Sequence, residues 1–532
     1  MAVKCPSCGG HMAFNVPTQA LKCRYCDRDM QIEDYDLANV AETDKDTYTV
    51  TVYKCPNCGA ELSAPDDQTV AYCSYCGGES ILSMKQEEAI RPSRIIPFKI
   101  SKEKAIETYE EALRSYRYVP KELKEGEHIN SFRGIYIPYL SYEVDVPDNA
   151  MKLKGTLDYT SGKWDYHEEY DIDVEIGGTI KGISFDASSS FDDSIAREIA
   201  PFDTAEDEAF REAYLAGFYS DKLTTPPEAY GDMVEKMAID TVYDGIADRT
   251  GLVKVVPPNE YSERKRQTGV NGYRHRVDLF PVWFLTWKNK GRVAYSVMNG
   301  QTGNLSMDIP VDKKAFFKVS AIMTAILFVI LSLLPMFILP KTISWVAAIF
   351  LVISSIVFSS EISKIYYREN RIFDIGYVNA KKGIQKKEKK RAPSPRKQGC
   401  LSGILVVLVI LAVFAYFVLS DILDSNGHLV NPVVYAITLL IQIILFIRTT
   451  SRAAKIEKKT APIPMLIGVI VLVIGLLIGI KNPAYDFWYY GMAILCLLAM
   501  LGNMVSMIHY LNYLTTRPVP DFFRREGADH GK

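Results

Sequence analysis

Histidine is scarce in this chain, which has seven among 532 residues. The three in its middle, His128, His167 and His275, have no partners at the spacing of a metal site or a catalytic triad. The first residues contain no apolar stretch of the kind that a secretory signal peptide requires. The long apolar runs of the second half contain no charged residue at mid-membrane depth, where transport paths usually need one. We therefore expect neither an enzyme nor a secreted protein.

The net charge of −2 conceals two halves of opposite sign. Residues 1–312 sum to −17, and residues 313–532 sum to +15. With 532 residues the chain is also too long for one ordinary domain, so several are expected. An acidic, soluble half therefore precedes a basic, apolar half.

Cysteine is almost confined to the first 76 residues, which contain eight of the ten. All eight belong to C-x-x-C pairs, and two pairs separated by fourteen residues form a unit that occurs twice. The first unit contains Cys5, Cys8, Cys23 and Cys26, and the second contains Cys55, Cys58, Cys73 and Cys76. The neighbouring residues repeat too, with Lys4, Pro6, Gly9 and Tyr25 recurring as Lys54, Pro56, Gly59 and Tyr75. The two units are therefore copies.

Two C-x-x-C turns can place four thiolates around one divalent metal ion. Gly9 and Gly59 permit the positive φ that often follows the second cysteine of such a turn, and Asp27 takes this place after Cys26. Four thiolates leave no open coordination position, so we predict two structural Zn2+ ions. Redox-active dithiols and rubredoxin-like iron are the alternatives. Paired cysteines without an export signal favour metal binding in a reducing cytosol over disulfides.

Zinc ribbons often bind nucleic acid, and charge helps to decide between this role and protein recognition. Residues 1–84 have six Lys or Arg against twelve Asp or Glu, a net charge of −6. Phosphate binding requires the opposite sign. We expect protein partners or a purely structural role, and the charge argues against a nucleic-acid partner.

The soluble half is predicted to contain four segments, followed by the membrane domain. They are zinc ribbon 1 (1–36), a polar linker (37–53), zinc ribbon 2 (54–84) and a cytosolic α+β domain with mostly antiparallel strands (91–312). Helices are predicted over 100–116, with Ser101 as the N-cap, over 205–219 and over 227–249. Strands are predicted over 134–146, 151–160 and 165–186, with Pro138 marking an edge or a bulge.

The second half contains six apolar runs, most of which approach the roughly 20 residues that cross a bilayer. They lie at about 319–339, 342–360, 401–420, 432–447, 463–480 and 488–510. Residues 313–512 are therefore predicted to be an all-α transmembrane domain with six spans. Its loop over 361–399 has twelve Lys or Arg against four acids, and segment 448–459 has five against one. The positive-inside rule places both basic loops, both termini and the tail 513–532 in the cytoplasm, with the spans as an anchor in the plasma membrane.

Three stretches follow the duplicated ribbons, namely "IIPFKISKEKAIE", "GIYIPYLSYEVDV" and "PVWFLTWKNKG". The ribbons resemble zinc ribbons of the transcription-factor-IIB type. Over about residues 1–312 the chain resembles a family of bacterial, mainly Gram-positive, multi-pass membrane proteins whose function is largely unassigned. The resemblance implies membrane partners among SPFH-type or phage-shock-like stress proteins, and it supplies no catalytic residues.

The sequence thus predicts a membrane-anchored zinc-ribbon scaffold or docking protein on the cytoplasmic face of the membrane, with a role in envelope stress as one possibility. A membrane-tethered nucleic-acid-binding protein and a transporter with a regulatory zinc-binding head are the alternatives. The acidic ribbons argue against the first alternative, and the uncharged spans argue against the second.

Overall fold

The computed structural model describes residues 3–39, 46–64, 73–78, 83–250, 253–332, 340–370, 427–455, 462–520 and 522. Its first elements form a small antiparallel sheet of three strands, followed by a helix. These elements are β1 (Met12–Asn15), β2 (Ala20–Cys23), β3 (Asp29–Met30) and α1 (Ile32–Asn39). The first cysteine unit therefore lies on a β-ribbon of its own.

A mixed sheet of thirteen strands forms the centre of the soluble half. Its strands are β4 (Thr47–Lys54), β5 (Glu61–Ala64), β6 (Ser83–Ile90), β7 (Arg94–Ile95), β8 (Arg133–Ser161), β9 (Trp164–Asp186), β10 (Glu208–Ala209), β11 (Tyr219–Asp221), β12 (Lys254–Val256), β13 (Arg274–Asn289), β14 (Arg292–Asn299), β15 (Leu305–Met307) and β16 (Arg517–Pro518). The longest path across the sheet is β10-β7-β13-β8-β11-β5-β4-β6. The pairs β8–β11 and β7–β13 are parallel and the other strand pairs are antiparallel.

The second cysteine unit is built into this large sheet. β4 pairs with β6 along eight residues, and β5 pairs with β11. The described part of segment 37–53 is the end of α1 followed by β4, rather than a linker. Its alternating Thr, Val and Tyr residues are polar enough to resemble a linker, but β-branched and aromatic side chains favour a strand.

Among the described residues, the soluble half has five further α-helices. They are α2 (Lys102–Arg114), α3 (Gly126–Ile129), α4 (Asp193–Ile199), α5 (Gly231–Thr250) and α6 (Tyr261–Thr268). α2 confirms the first predicted helix, and its N-cap Ser101 accepts a hydrogen bond from the Lys104 N–H at 3.3 Å. α5 confirms the third predicted helix, and a 3-10 turn at Pro227–Tyr230 precedes it.

The predicted helix over residues 205–219 is wrong. This segment contains two 3-10 turns, Thr204–Glu206 and Glu212–Leu215, together with the short strand β10 and the start of β11. Its backbone makes tertiary hydrogen bonds: the Phe210 N–H donates to Ser93 O at 3.3 Å, and Ala216 O accepts from the Phe14 N–H at 2.8 Å. These distant partners replace the local hydrogen bonds that the apolar spacing suggested.

Pro138 lies in a central strand rather than at an edge or a bulge. β8 pairs with β13 on one side, opposite Leu279 at this residue. On its other side β8 pairs with β11 up to Tyr136 and with β9 from Tyr139 onward. Pro138 occupies the gap between these two partners, where its missing N–H interrupts neither ladder. Its carbonyl accepts from the Ala187 N–H at 2.8 Å.

The second half begins with α7 (Lys313–Ser332) and contains four helices that are long and apolar enough to cross a membrane. These are α8 (Pro340–Asn370), α9 (Gly427–Lys455), α10 (Ile463–Lys481) and α11 (Phe487–Leu514). The chain is therefore a membrane protein, and the described residues support four spans rather than six. The first predicted run falls partly in α7, which is not one of the four. The third run and residues 371–399 of the predicted basic loop lie outside the described residues.

Contacts between the membrane helices give their relative directions. α8 and α11 are parallel: Lys341 Nζ lies 5.6 Å from the centre of the Tyr489 ring near their starts. Further along both helices, the Asn503 Nδ2 group donates to Ser355 Oγ at 2.8 Å.

α8 and α9 are also parallel. The Thr449 hydroxyl of α9 donates to Ser359 Oγ of α8 at 3.0 Å. One turn further along both helices, Arg452 donates to the Ser363 hydroxyl.

α9 and α10 are antiparallel. Gln442, in the second half of α9, donates to Met465 O near the start of α10 at 3.2 Å. Tyr435, earlier in α9, packs against Gly475, later in α10.

The segment after α11 returns to the soluble half and is not a free tail over its described residues. β16 pairs with β14. The Arg517 guanidinium forms ion pairs with Asp192 at 2.5 Å and with Asp308 at 3.0 Å. The predicted tail, residues 513–532, therefore begins as an edge strand of the large sheet, and residues 523–532 lie outside the described part.

Two candidate metal centres

The structure brings the eight predicted cysteines together in two groups of four. In each group the four sulfur atoms all lie within 4.8 Å of one another. Sγ–Sγ distances are 3.7 Å for Cys5–Cys26, 3.5 Å for Cys8–Cys23, 3.7 Å for Cys55–Cys76 and 3.7 Å for Cys58–Cys73. A tetrahedral zinc ion with Zn–S bonds of about 2.3 Å requires sulfur atoms about 3.8 Å apart. Each group can therefore hold one metal ion. We call them the first centre and the second centre.

Each centre is formed by two tight turns, which we call knuckles. In every knuckle the N–H of the residue after the second cysteine donates to the first cysteine's carbonyl, over distances of 2.8–3.1 Å. The residues in this position have positive φ: 70° at Gly9, 55° at Asp27, 79° at Gly59 and 62° at Gly77. The predicted roles of Gly9, Gly59 and Asp27 are confirmed. Asp is one of the few residues with a side chain that tolerates this conformation.

At Cys5 and Cys23 the knuckle backbone favours the thiolate form that a metal ion needs. Hydrogen bonds from backbone N–H groups, above all that of Ser7, lower the pKa of the Cys5 thiol to about 6. The backbone N–H groups of Cys26 and Tyr25 likewise lower the pKa of the Cys23 thiol. A lowered thiol pKa means that binding a cation displaces a proton at smaller cost.

The distances between the sulfur atoms also distinguish a metal site from a disulfide. A disulfide bond would bring two sulfur atoms to about 2.05 Å. The distances above are much longer, and all eight cysteines are free thiols in this structure. Four thiolates in closed, tetrahedral positions are a donor set that fits zinc. Cys496 is buried in α11 and belongs to neither centre, and Cys400 lies outside the described residues.

The first centre packs against the α+β domain on one side and faces solvent on the other. Cys5 and Cys23 are buried, whereas Cys8 and Cys26 are exposed. The Phe14 ring contacts that of Tyr214 with centroids 5.5 Å apart, in addition to the backbone bond to Ala216. The first ribbon therefore shares its core with the rest of the soluble half.

The second centre is less exposed than the first, and its four cysteines are all buried. Tyr75, which precedes the ligand Cys76, donates from its hydroxyl to Asp221 Oδ2 at 2.5 Å. Asp221 also accepts from the Ser188 hydroxyl at 2.5 Å. Burial raises the pKa of the Asp221 carboxyl from its ordinary value to about 6. A buried acid thus anchors the knuckle to the domain.

The segment after α11 contacts the second centre directly. The Phe522 N–H donates to Cys58 O at 2.7 Å. The Phe522 ring meets the Tyr75 ring edge-on at 5.8 Å. No local sequence signal could have revealed Phe522 or Asp221, because each lies more than a hundred residues from the cysteines it supports. The repeated Tyr25 and Tyr75 were the only hint that the residue before the last ligand has a role.

Hydrogen bonds connect the soluble half to the membrane helices at the points where the chain enters and leaves the membrane domain. The Val311 N–H donates to Asn512 Oδ1, and Asn512 Nδ2 donates to Val311 O, both at 2.9 Å. Lys313 Nζ donates to His509 O at 2.8 Å. Arg292 of β14 donates to Thr516 O at 2.8 Å. The start of α7 and the end of α11 therefore lie side by side at the soluble half.

Comparison with other proteins adds a family but no function. The chain matches no protein-family model, and no solved structure matches it. It is 30% identical over 323 residues to a Bacillus subtilis (strain 168) protein named "Uncharacterized protein YdjG". The aligned region covers 59% of this chain and 91% of that protein. At this identity and coverage, the chain belongs to the same uncharacterised bacterial family as YdjG.

Proposed function

We propose that the chain is a membrane-anchored scaffold whose soluble half, stiffened by two structural Zn2+ ions, docks protein partners on the cytoplasmic face. The observation that carries the proposal is the hydrogen bond from Phe522 to the Cys58 carbonyl. It ties a metal centre of the soluble half to the segment that leaves the last membrane helix. A metal site in that position stabilises the head and fixes it to its anchor at the same time.

The role of the metal in this proposal is structural. When bound, zinc supplies the bonds that hold each pair of knuckles together and leaves no open position for a substrate. Cys5, Cys8, Cys23 and Cys26 would hold one ion, and Cys55, Cys58, Cys73 and Cys76 the other. The rigid knuckles then present fixed backbone carbonyls and side chains to a partner.

The described residues contain four candidate spans, and we propose two more from the directions of these four helices. α8, α9 and α11 run parallel to one another, and α11 ends at the soluble half. α8 and α9 must therefore both start on the far side of the membrane. Six spans would supply one crossing between the soluble half and α8, and a second crossing between α8 and α9. We propose that the apolar runs 319–339 and 401–420 make these two crossings. α7 has 20 residues and is about 30 Å long, enough to reach the far side.

The same directions support a common side for the soluble half and both termini. We assign this side to the cytoplasm because it would also hold the basic segments 361–399 and 448–459. Eight cysteines that remain thiols agree with this orientation, because the cytosol keeps thiols reduced.

We propose protein partners rather than nucleic acid, because residues 1–84 have a net charge of −6. The family resemblance suggests SPFH-type or phage-shock-like stress proteins in the same membrane. The name of the Bacillus relative assigns no function, so this choice rests on the resemblance alone.

The proposal is tested on the tagged full chain, purified in detergent. Elemental analysis should find two zinc ions per chain, and Cys8→Ser and Cys58→Ser should each remove one. Proteins cross-linked to the wild type in cells should be lost from the Cys8→Ser/Cys58→Ser double variant, while Cys496→Ser should retain them. A metal other than zinc, or the same partners on the double variant at equal membrane abundance, would contradict the proposal.

A further inference from the structure

The second knuckles of the two ribbons have the same sequence pattern and opposite surroundings. Tyr25 and Tyr75 both precede the last cysteine of their unit. Tyr25 is 86% exposed, whereas Tyr75 is 1% exposed. The surface around this tyrosine is thus exposed to solvent in the first ribbon and covered by other parts of the chain in the second.

The covered copy shows how a polypeptide docks on such a surface. Ser74 O accepts from the Thr286 hydroxyl, and Tyr75 O accepts from the Tyr295 hydroxyl at 2.6 Å. The adjacent carbonyl, Cys58 O, accepts from the Phe522 N–H.

An aromatic contact completes this docking. The Tyr75 ring contacts the rings of Phe284 and Phe522, with centroids 5.3 Å and 5.8 Å away. Docking therefore combines donors aimed at the knuckle carbonyls with an aromatic side chain against the tyrosine.

The equivalent groups of the first ribbon lie on its surface. The corresponding carbonyls belong to Arg24, Tyr25 and Cys8, and within the described residues none of the three accepts a hydrogen bond. The residues around them are exposed as well. We call this surface the open knuckle face, and it consists of residues 6–9 and 24–28. Its backbone is held rigid by the same turns as in the covered copy.

The open knuckle face is more basic than its covered counterpart. Arg24 and Arg28 stand where the second ribbon has Ser74 and Gly78. Residues 3–31 contain four Lys or Arg against two Asp. The Asp27 carboxylate is 3.6 Å from Lys22 Nζ, so part of its charge is already balanced. The ribbon thus offers local positive charge within a soluble half that is acidic as a whole.

Two of the three acids of the neighbouring helix α1 lie against another element, and the third, Asp34, is exposed. Glu33 and Asp36 are 3.2 Å and 3.5 Å from the Arg211 guanidinium of the α+β domain. They pair with that domain and do not neutralise Arg24 and Arg28.

We infer that the open knuckle face docks an extended, acidic segment of a protein partner that carries an aromatic side chain. The segment's backbone N–H would donate to Cys8 O as that of Phe522 does to Cys58 O. Its ring would pack on Tyr25, and its carboxylates would pair with Arg24 and Arg28. This inference rests on the proposed scaffold function and names the surface and the partner chemistry that serve it.

The test uses the zinc-loaded full chain in lipid nanodiscs and fluorescein-labelled ten-residue peptides. One peptide has Phe flanked by Asp and Glu, a second has Ala in place of Phe, and a third has Lys in place of the acids. The first peptide should bind saturably, and the other two at least about tenfold more weakly. Tyr25→Ala should weaken the first peptide at least about tenfold and still hold two zinc ions. Tyr116→Ala, a change at another exposed tyrosine, should bind like the wild type.

Equal binding of the three peptides, binding of none, or unchanged binding by Tyr25→Ala would overturn the inference. Binding of a single-stranded DNA 20-mer is measured in a separate experiment at about 150 mM salt. Saturable DNA binding that is lost in Tyr25→Ala would assign the face to nucleic acid instead.

The scaffold proposal and the docking face can be told apart by experiment. If cellular partners persist on Tyr25→Ala but are lost when both centres are disrupted, the scaffold proposal stands and the docking face is wrong.

Discussion

Four residues with positive φ close the knuckles, and three of them are glycines. This pattern follows from the sequence because a turn of two residues between two ligands has few allowed backbone conformations. The turn between β13 and β14 is a similar case, since Lys290 and Gly291 have φ values of 48° and 74°. Asn289-Lys290-Gly291 has the local chemistry that favours a tight turn between two strands. Residue-scale predictions succeed where short-range sterics decide the conformation.

Asp221 is a residue that no local rule identifies. It is fully buried, and desolvation raises its pKa to about 6, while the unfolded chain would have an ordinary aspartate value near 3.9. The folded state therefore binds this proton more tightly than the unfolded state does. The resulting stability is fully present below about pH 4 and is lost as the pH rises through about 6.

We predict that the wild type loses about 1 kcal/mol of unfolding free energy relative to Asp221→Asn between pH 5.5 and 7.5. Replacement by Asn removes the titration but keeps a similar shape. The comparison with the variant at each pH cancels the titration of other groups. Urea unfolding of the zinc-loaded full chain, followed by tryptophan fluorescence, gives the difference. A gap between the two proteins that does not change with pH would contradict the raised pKa.

At the scale of elements, the two cysteine units illustrate what a repeat in sequence does and does not determine. The ligands and their spacing are the same, and both units form four-sulfur centres. Only the second unit, however, is part of the thirteen-stranded sheet. The difference comes from β11 and from the segment after α11, which are distant in sequence. The repeat thus predicts the metal chemistry of both units and leaves their surroundings undetermined.

The contrast in burial predicts different rates of metal loss. The first centre exposes Cys8 and Cys26, whereas the second has four buried ligands. A chelator can attack an exposed ligand directly, but it can reach a buried one only after local opening. We predict that a chromogenic chelator removes one zinc ion per chain quickly and the second only slowly.

Single variants assign these two phases. Cys26→Ser should abolish the fast phase and retain the slow one, and Cys76→Ser should do the reverse. Two ions released at one common rate from the wild type would show that burial does not control access.

The segment after α11 predicts a coupling between the second centre and the last membrane helix. Phe522 is held by the Cys58 carbonyl and by the Tyr75 ring. Loss of the second metal ion should loosen the knuckles and with them this contact. We predict faster amide hydrogen exchange over residues 515–522 in Cys58→Ser than in the wild type, measured on the full chain by mass spectrometry.

Cys8→Ser is the matched control, because it removes a ligand of the first centre and leaves the second intact. Exchange over residues 515–522 should then stay at the wild-type rate. Equal acceleration in both variants would indicate general destabilisation of the soluble half rather than a specific contact.

At the scale of the whole molecule, the sequence predicted a soluble head on a bundle of membrane helices. Hydropathy finds apolar runs because a bilayer requires about 20 apolar residues per helix. It cannot reveal that α8, α9 and α11 run parallel, since that depends on side-chain contacts such as Thr449 with Ser359. Nor could it show that each ribbon packs its own hydrophobic cluster against the α+β domain, because contacts such as that between Phe14 and Tyr214 join residues two hundred positions apart.

The parallel directions of α8 and α9 lead to a prediction about sidedness that a four-span arrangement does not share. If the chain crosses the membrane between these helices, position 426 lies outside the cell and position 394 inside. If it does not cross there, α9 starts in the cytoplasm and both positions are inside. We predict that a cysteine introduced at Asn426 reacts with an impermeant maleimide added to intact cells, while one at Ser394 reacts only after the cells are opened. Both variants are made in a Cys400→Ser/Cys496→Ser background, so that the remaining native cysteines are the eight proposed ligands, on the side that we propose to be cytoplasmic. Protection of Asn426 in intact cells would reject the crossing at 401–420, and labelling of Ser394 would reverse the orientation of the whole protein.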